Sequence, residues 1–192
     1  MKQSQTIRRR DAAATRAAIL NSARRLFATD SYENVGIREI ASQAGADAAL
    51  VSRYFGSKEE LFTEVLSSGK RGLDFIGGEL TGLPERVADL LLDPPEKNEE
   101  NPMEEILILL HSATSPVAAP LVQASIHERF NGPFADIIGG ENAMIRSQLF
   151  GALLMGISIT RRISGNNVMS PGERACMHRR ISELIATAIR PF

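Results

Sequence analysis

An all-α fold is what this 192-residue sequence predicts, with a small three-helix unit of helix-turn-helix type at the N-terminus and a larger helical body behind it. Three observations carry that expectation. The chain is 43% apolar but only 5% aromatic, and Leu, Ile and Ala, which suit helices better than a β-sandwich or barrel, dominate the apolar set. Apolar residues recur three and four positions apart in one segment after another, the period of an amphipathic helix. Two short helical patterns are joined by a tight turn at Gly45 and preceded by a longer one, which is the layout of a helix-turn-helix.

The first helix is expected from an Asp11 N-cap to about Asp30, with Ile19, Leu20, Ala23, Leu26 and Phe27 on one face. Residues 1–10 ahead of it read as a flexible basic arm. A short second helix covers 36–44, with Ile37, Ile40, Ala41 and Ala44 on one side and a left-handed turn at Gly45 to end it. A third runs from an Asp47 N-cap to about Phe55, which makes 11–56 the first domain; Ala41 is small where two closely linked helices cross. In GSKEELF, Ser57 and Glu60 form a capping box that opens a fourth helix, expected to reach about residue 76 before Gly77, Gly78 and Gly82 break it. The second domain, 57–192, continues with a brief helix at 83–92 carrying Pro84 in its first turn and a polar loop at 93–102.

Four helices complete the body: 103–113, 116–130, a long 141–163, and 171–189. Gly139-Gly140 reads as a helix end. The long helix carries two apolar stripes, one of Ile145, Leu149, Leu153, Gly156 and Ile159 and one of Phe150, Leu154 and Ile157, so it needs cover on most sides. That cover is either a second copy of the chain, met through Ile181, Leu184, Ile185 and Ala188 of the last helix as well, or the core of a monomer.

Net charge is −1, but residues 1–58 hold ten Lys or Arg against five acids, so a basic head precedes an acidic body. Only the head suits a polyanion. The single cysteine, Cys176, excludes an internal disulfide framework and reads as a partly buried small apolar side chain, compatible with a reducing cytosol. No apolar run reaches the roughly 18 residues of a membrane helix, and MKQSQTIRRRD lacks a signal-peptide core; the chain is expected to be cytoplasmic, with no membrane partner. His111, His127 and His178 fall on separate helices without metal-binding spacing, and neither a phosphate-binding glycine loop nor a nucleophile and base can be assembled. No metal, cofactor or enzymatic activity is expected.

The stretch TRAAILNSARRLFATDSYENVGIREIASQAGADAALVSRYFGSKEELFTEVL, Thr15 to Leu66, resembles the DNA-binding region of the tetracycline-repressor (TetR/AcrR) family of bacterial transcriptional regulators. Ile19, Ala23, Leu26-Phe27, Tyr32, Ile37, Ile40-Ala41, Ala44-Gly45, Val51, Tyr54-Phe55, Ser57-Lys58 and Leu61-Phe62 carry the likeness. It implies a homodimer paired through the last two long helices, a C-terminal ligand-binding and dimerisation domain, and a regulator of transcription. The function it implies is repression released from a palindromic double-stranded DNA operator by a small hydrophobic effector. Phe75, Leu107, Leu110, His111, Phe130 and Phe134 are candidates for lining the effector pocket, His111 either as a polar group there or bonded to a neighbouring carbonyl. The alternative is a ligand- or protein-binding module on the same fold that no longer binds DNA. The sequence departs from the family where a Ser or Thr often caps the second helix, here Gly36, and where Tyr often precedes a His-Tyr-Phe run, here Ser52-Arg53.

A helix entering the major groove needs short side chains for close approach and longer donors for bases or phosphates. Ala48, Ala49, Ser52 and Arg53 supply that mixture, while Leu50, Val51 and Phe55 are expected to face inward. Arg53 suits a guanine edge, a phosphate or plain solvent. Tyr54 and Lys58 resemble the family's phosphate contacts, and the Gly36 amide at a helix start adds a third anion donor. Asp47 fits an N-cap better than a DNA contact. Arg8, Arg9 and Arg10 either follow the DNA as an arm or form a solvated tail.

Overall fold

The computed structural model describes residues 2–68, 79–93, 102–164 and 169–191, and every regular element among them is helical. In order these are α1 (Lys2–Thr29), α2 (Ile37–Gln43), α3 (Ala48–Phe55), α4 (Lys58–Ser68), α5 (Leu83–Leu92), α6 (Pro102–Ser112), α7 (Ala118–Ile126), α8 (Gly132–Ile138), α9 (Ala143–Ile163) and α10 (Pro171–Ile189). The chain divides into two compact units, residues 1–69 with 104–125, and residues 70–103 with 126–192.

In the first unit α1 packs on α2 and α4, and α3 lies against α2 and α4. Its core joins Ile19, Ala23 and Phe27 of α1 to Ile40 and Ala41, Val51 and Phe55, and Leu61 and Phe62. The rings of Phe27, Tyr32 and Phe62 interlock with centroids 4.9 to 5.8 Å apart, two of the three pairs edge-to-face. Fully buried Ser22 donates its hydroxyl to the Ile40 carbonyl at 3.0 Å, tying α1 to α2 beside the small Ala41.

Helix α1 starts at Lys2 rather than at Asp11, so residues 2–10 continue the helix where an arm was expected. Lys, Gln, Arg and Ala favour helix, and no Gly or Pro interrupts residues 2–29, so nothing forces a break at Asp11. The expected end of the fourth helix near residue 76, and Phe75 with it, lie outside the described residues. The corner between α6 and α7 belongs to the first unit. There Ser115 accepts the Ala118 N–H at 2.9 Å, which starts α7, and donates to the Glu33 carboxylate in the α1–α2 connection.

The second unit sets α10 against α5 and α9, with α8 also on α9. Leu83, Val87, Phe134, Phe150, Ile181 and Ile185 form its core, and Phe134 and Phe150 face each other at 4.4 Å with Phe130 6.0 Å from both. Beyond α7 the sequence expectation of one helix ending near residue 130 gives way to a π-helical turn, His127–Asn131, and then α8. Pro133 explains it: proline lacks an N–H and its ring crowds the preceding turn, and the strain is relieved by the wider turn in which the Gly132 N–H bonds to the His127 carbonyl.

Arg146, 1% exposed, clamps three chain segments. Its Nε donates to the Glu141 carbonyl at 3.0 Å, Nη1 to Ile189 at the end of α10 at 2.6 Å, and Nη2 to Gly139, where α8 ends with φ +53°. Gly139 and Ile189 lie at the C-terminal ends of α8 and α10, where partial negative charge offsets the buried guanidinium.

The two stripes of α9 separate. Phe150, Leu154 and Ile157 pack on the core with Leu153, whereas Ile145, Leu149 and Gly156 are exposed. On α10 the expected partner face is corrected: Ile181, Ile185 and Ala188 are buried within their own chain, and only Leu184 of that set is open, beside Met177 on the same side. The reason is α5, whose Leu83, Val87 and Ala88 take the space a partner was expected to fill. Helix α9, at 21 residues, is the one described helix long and apolar enough by composition to cross a membrane. Polar residues such as Arg146, Gln148 and Ser158 interrupt its apolar run, and α9 divides its apolar side chains between core and open face. Cys176 on α10 is exposed, not partly buried.

Candidate nucleic-acid interface

The interface builds from the turn that delivers α3. Helix α2 ends at Ala44, Gly45 takes φ +63°, and the Ala46 N–H returns to the Ala41 carbonyl at 2.9 Å, which closes the turn. Asp47 then caps α3, its Oδ1 accepting the Ala49 N–H at 2.7 Å. The acid is thereby spent on the helix start, as the sequence suggested.

Helix α3 carries two faces. Val51 and Phe55 are buried and Leu50 is half-buried, while Ala49, Ser52 and Arg53 are exposed and Ala48 is half-exposed. Those outward side chains share one surface with short groups first and the guanidinium later, the order that lets a helix approach base edges before a longer donor reaches them. Tyr54 is half-buried at the margin.

Gly56 turns the chain with φ +78° into α4, whose start is the expected capping box: Glu60 N–H to Ser57 Oγ at 3.0 Å and Ser57 N–H to Glu60 Oε2 at 2.8 Å. Lys58 opens α4, with Nζ 4.3 Å above the Tyr32 ring. Burial lowers its pKa and the Glu33 and Glu59 carboxylates oppose that, while burial, then the charge of Glu59, raises the Tyr32 phenol well above its ordinary range. Lys58 therefore rests on an aromatic face at the edge of the α3 surface rather than extending into solvent.

Gly36 caps α2 in an extended conformation with no side-chain bond, and a Cβ placed there meets nothing within 4 Å. Its neighbourhood also holds exposed Arg38 in the first turn of α2, a cation the sequence reading did not single out. Because an exposed Arg two residues past a helix cap is common on any surface, composition alone offers no signal for it.

The candidate effector residues are shared between the two units. Leu107, Leu110 and His111 belong to the first unit; Phe130 and Phe134 belong to the second, where they stack with Phe150 as packed core. Phe134 is fully buried and Phe130 half-buried. Leu110 is exposed and Leu107 half-buried. Next to them His111 Nδ1 and the fully buried Ser112 Oγ have no hydrogen-bond partner among the described residues. No group of three His, Cys, Asp or Glu able to hold a metal occurs among those residues.

Comparison with known proteins agrees with this geometry. Residues 19–65 match the model of bacterial regulatory proteins of the tetR family, and residues 82–189 match that of the tetracyclin repressor-like C-terminal domain. No curated protein matches the chain. Among solved structures, NalD, the secondary repressor of the MexAB-OprM multidrug efflux pump in Pseudomonas aeruginosa, superposes with a TM-score of 0.61 at 17% identity over 91% of this chain and 96% of that one. A TetR-family regulator from Streptomyces coelicolor A3 gives 0.54 at 24% identity over 92% and 95%, and a TetR family transcriptional regulator from Pseudomonas syringae pv. tomato gives 0.56 at 16% over 90% and 95%. Identities this low speak for the fold alone. With both family models matched along the chain, the protein belongs to the TetR family of bacterial transcriptional regulators and is a regulator rather than an enzyme.

Proposed function

We propose that the chain is a homodimeric one-component repressor of the bacterial cytoplasm that binds a palindromic operator and is released by a small hydrophobic effector. The single observation that carries the DNA half is the outward face of α3, Ala48, Ala49, Ser52 and Arg53, flanked by Tyr54, Lys58 and the Gly36 amide. Base edges are read by Ser52 and Arg53; the flanking groups bind phosphate, Lys58 by leaving the Tyr32 ring. Dimerisation uses the exposed stripe Ile145, Leu149 and Gly156 of α9 with Leu184 and Met177 of α10, an apolar surface that a monomer would leave in water. Repression is also the role of NalD, a relative in fold.

The effector is read at α6, where the unpartnered His111 Nδ1 and Ser112 Oγ stand next to apolar Leu107 and Ile108; a mainly apolar molecule with one polar group fits that chemistry. It releases DNA only so far as it prefers the non-binding arrangement of the dimer's heads.

The test is selection from a random duplex library, followed by titration of any enriched sequence across a salt series. Enrichment of an inverted repeat, with affinity falling steeply in salt and collapsing in Arg53→Ala, is the expected result. Weak binding shared by all duplexes would replace the reading with that of a module that has kept the fold and lost DNA recognition.

A further inference from the structure

Helix α3 is only eight residues long, and its inner face offers the core just Val51 and Phe55 as buried side chains. A helix so short is held by whatever grips its ends. Asp47 and the Gly45 turn fix the first end. At the other end Phe55 precedes the Gly56 turn, and its ring is covered by a residue from elsewhere in the head: Arg16 of α1 stacks its guanidinium over the Phe55 ring with Cζ 4.6 Å from the centroid. The same guanidinium donates from Nη2 to the Glu64 carboxylate of α4 at 2.5 Å. One side chain thus joins α1, the last residue of α3, and α4.

We infer that Arg16 is a positioning residue for DNA readout, which fixes the angle of the recognition helix by gripping Phe55 and Glu64 and makes no contact with DNA itself. This rests on the reading of α3 as the recognition helix. Arg16 is one of the ten basic residues of the head and by charge alone would count as a phosphate ligand. Its geometry says otherwise. The planar group is committed on one face to an aromatic ring and at one edge to a carboxylate, a combination that suits arginine and that lysine cannot reproduce. Its charge also lies at the C-terminal end of α3, where the helix dipole is negative. Arg53 is two residues from Phe55, so a change in the seating of that ring moves the guanidinium that reads the base edge. Misplacement by a fraction of an ångström is enough to spoil a bidentate contact.

A direct contact, a positioning role and a role in folding alone give different results in one experiment. Full-length wild type, Arg16→Gln, Glu64→Gln and Arg53→Ala are titrated with the selected operator and with a scrambled duplex, each over a salt series, and each variant is melted thermally. For Arg16→Gln and Glu64→Gln, operator affinity falls by about three- to tenfold, the range a partly exposed ion pair and cation–π contact can supply. Scrambled-duplex affinity and the salt slope stay at wild-type values, and Arg16→Lys does not restore operator affinity. A salt slope reduced by about one in Arg16→Gln would mean a direct phosphate contact and would overturn the proposal. Equal loss on both duplexes that follows a drop in melting temperature would reduce Arg16 to a stabilising residue, and unchanged operator affinity in both variants would also overturn the proposal. If wild type and Arg53→Ala fail to distinguish operator from scrambled duplex, the reading of α3 fails, and the role of Arg16 with it.

Discussion

Replacing Arg146 by Met keeps most of the volume of a fully buried side chain and removes its donors. Three hydrogen bonds from a charged donor, to Glu141, Ile189 and Gly139, contribute about 1.5–3 kcal/mol each. Taking the guanidinium out of water offsets several kcal/mol of that total. Because the substitution also leaves three carbonyls without their partner, the net loss expected for Arg146→Met is about 2–4 kcal/mol. Arg146→Lys keeps the charge but cannot fork to three acceptors, and should lose about half as much. Urea unfolding at a fixed protomer concentration measures both, since a dimer's stability depends on concentration. A Met variant as stable as wild type, with an unchanged denaturant slope, would refute the view that this cation holds the ends of α8 and α10 to α9.

Other perturbations test the remaining elements. Leu149→Glu and Leu184→Glu put a charge on side chains already about half exposed in one chain, so helicity should be retained while light scattering reports a monomer where wild type gives a dimer. Gly36→Ser meets no obstruction and adds a cap; thermal stability should rise by a few tenths of a kcal/mol, and affinity for all duplexes by about two- to fivefold as the hydroxyl reaches a phosphate. Glu173 is held below its ordinary pKa of 4.5, first by the Ser170 hydroxyl and then by its backbone N–H. A carboxylate depressed in the folded state stabilises fully above its unfolded pKa and loses that contribution as pH falls through the folded one. Ser170→Ala should therefore cost more stability at pH 7 than at pH 2, where the loss shrinks toward that of the neutral N-cap bond from the Glu173 N–H to the Ser170 hydroxyl, as read by thermal melts at both values.

The head was legible because its signals are local. Asp47, Gly45, Ser57 and Glu60 act on residues within four positions, and the structure finds each in the role its chemistry suggested. Arg16 was not distinguishable from Arg53 in the sequence, because what separates them is Phe55 and Glu64, 39 and 48 residues away in the chain. The same holds for Arg146, whose place among apolar residues beside Gly139-Gly140 was the available hint, and for α10, where periodicity marked an apolar face without saying whether α5 or a second chain would cover it.

Gly56 and Glu60 are bound together by more than the turn between them. A side chain at 56 would have to tolerate φ +78° and would also place its Cβ 1.8 Å from the Glu60 carboxylate that closes the capping box. The two positions are therefore coupled: a side chain at 56 strains the backbone and also displaces the Glu60 carboxylate, which opens the capping box. Ala48, Ala49, Ser52 and Arg53 carry no such linkage, since their outward side chains are not part of the head's core. On the proposed reading of α3, the head sets a constrained turn residue next to a reading surface free of that constraint, the arrangement that would let a lineage, or a laboratory library restricted to those four codons, acquire new operators without relearning how to fold.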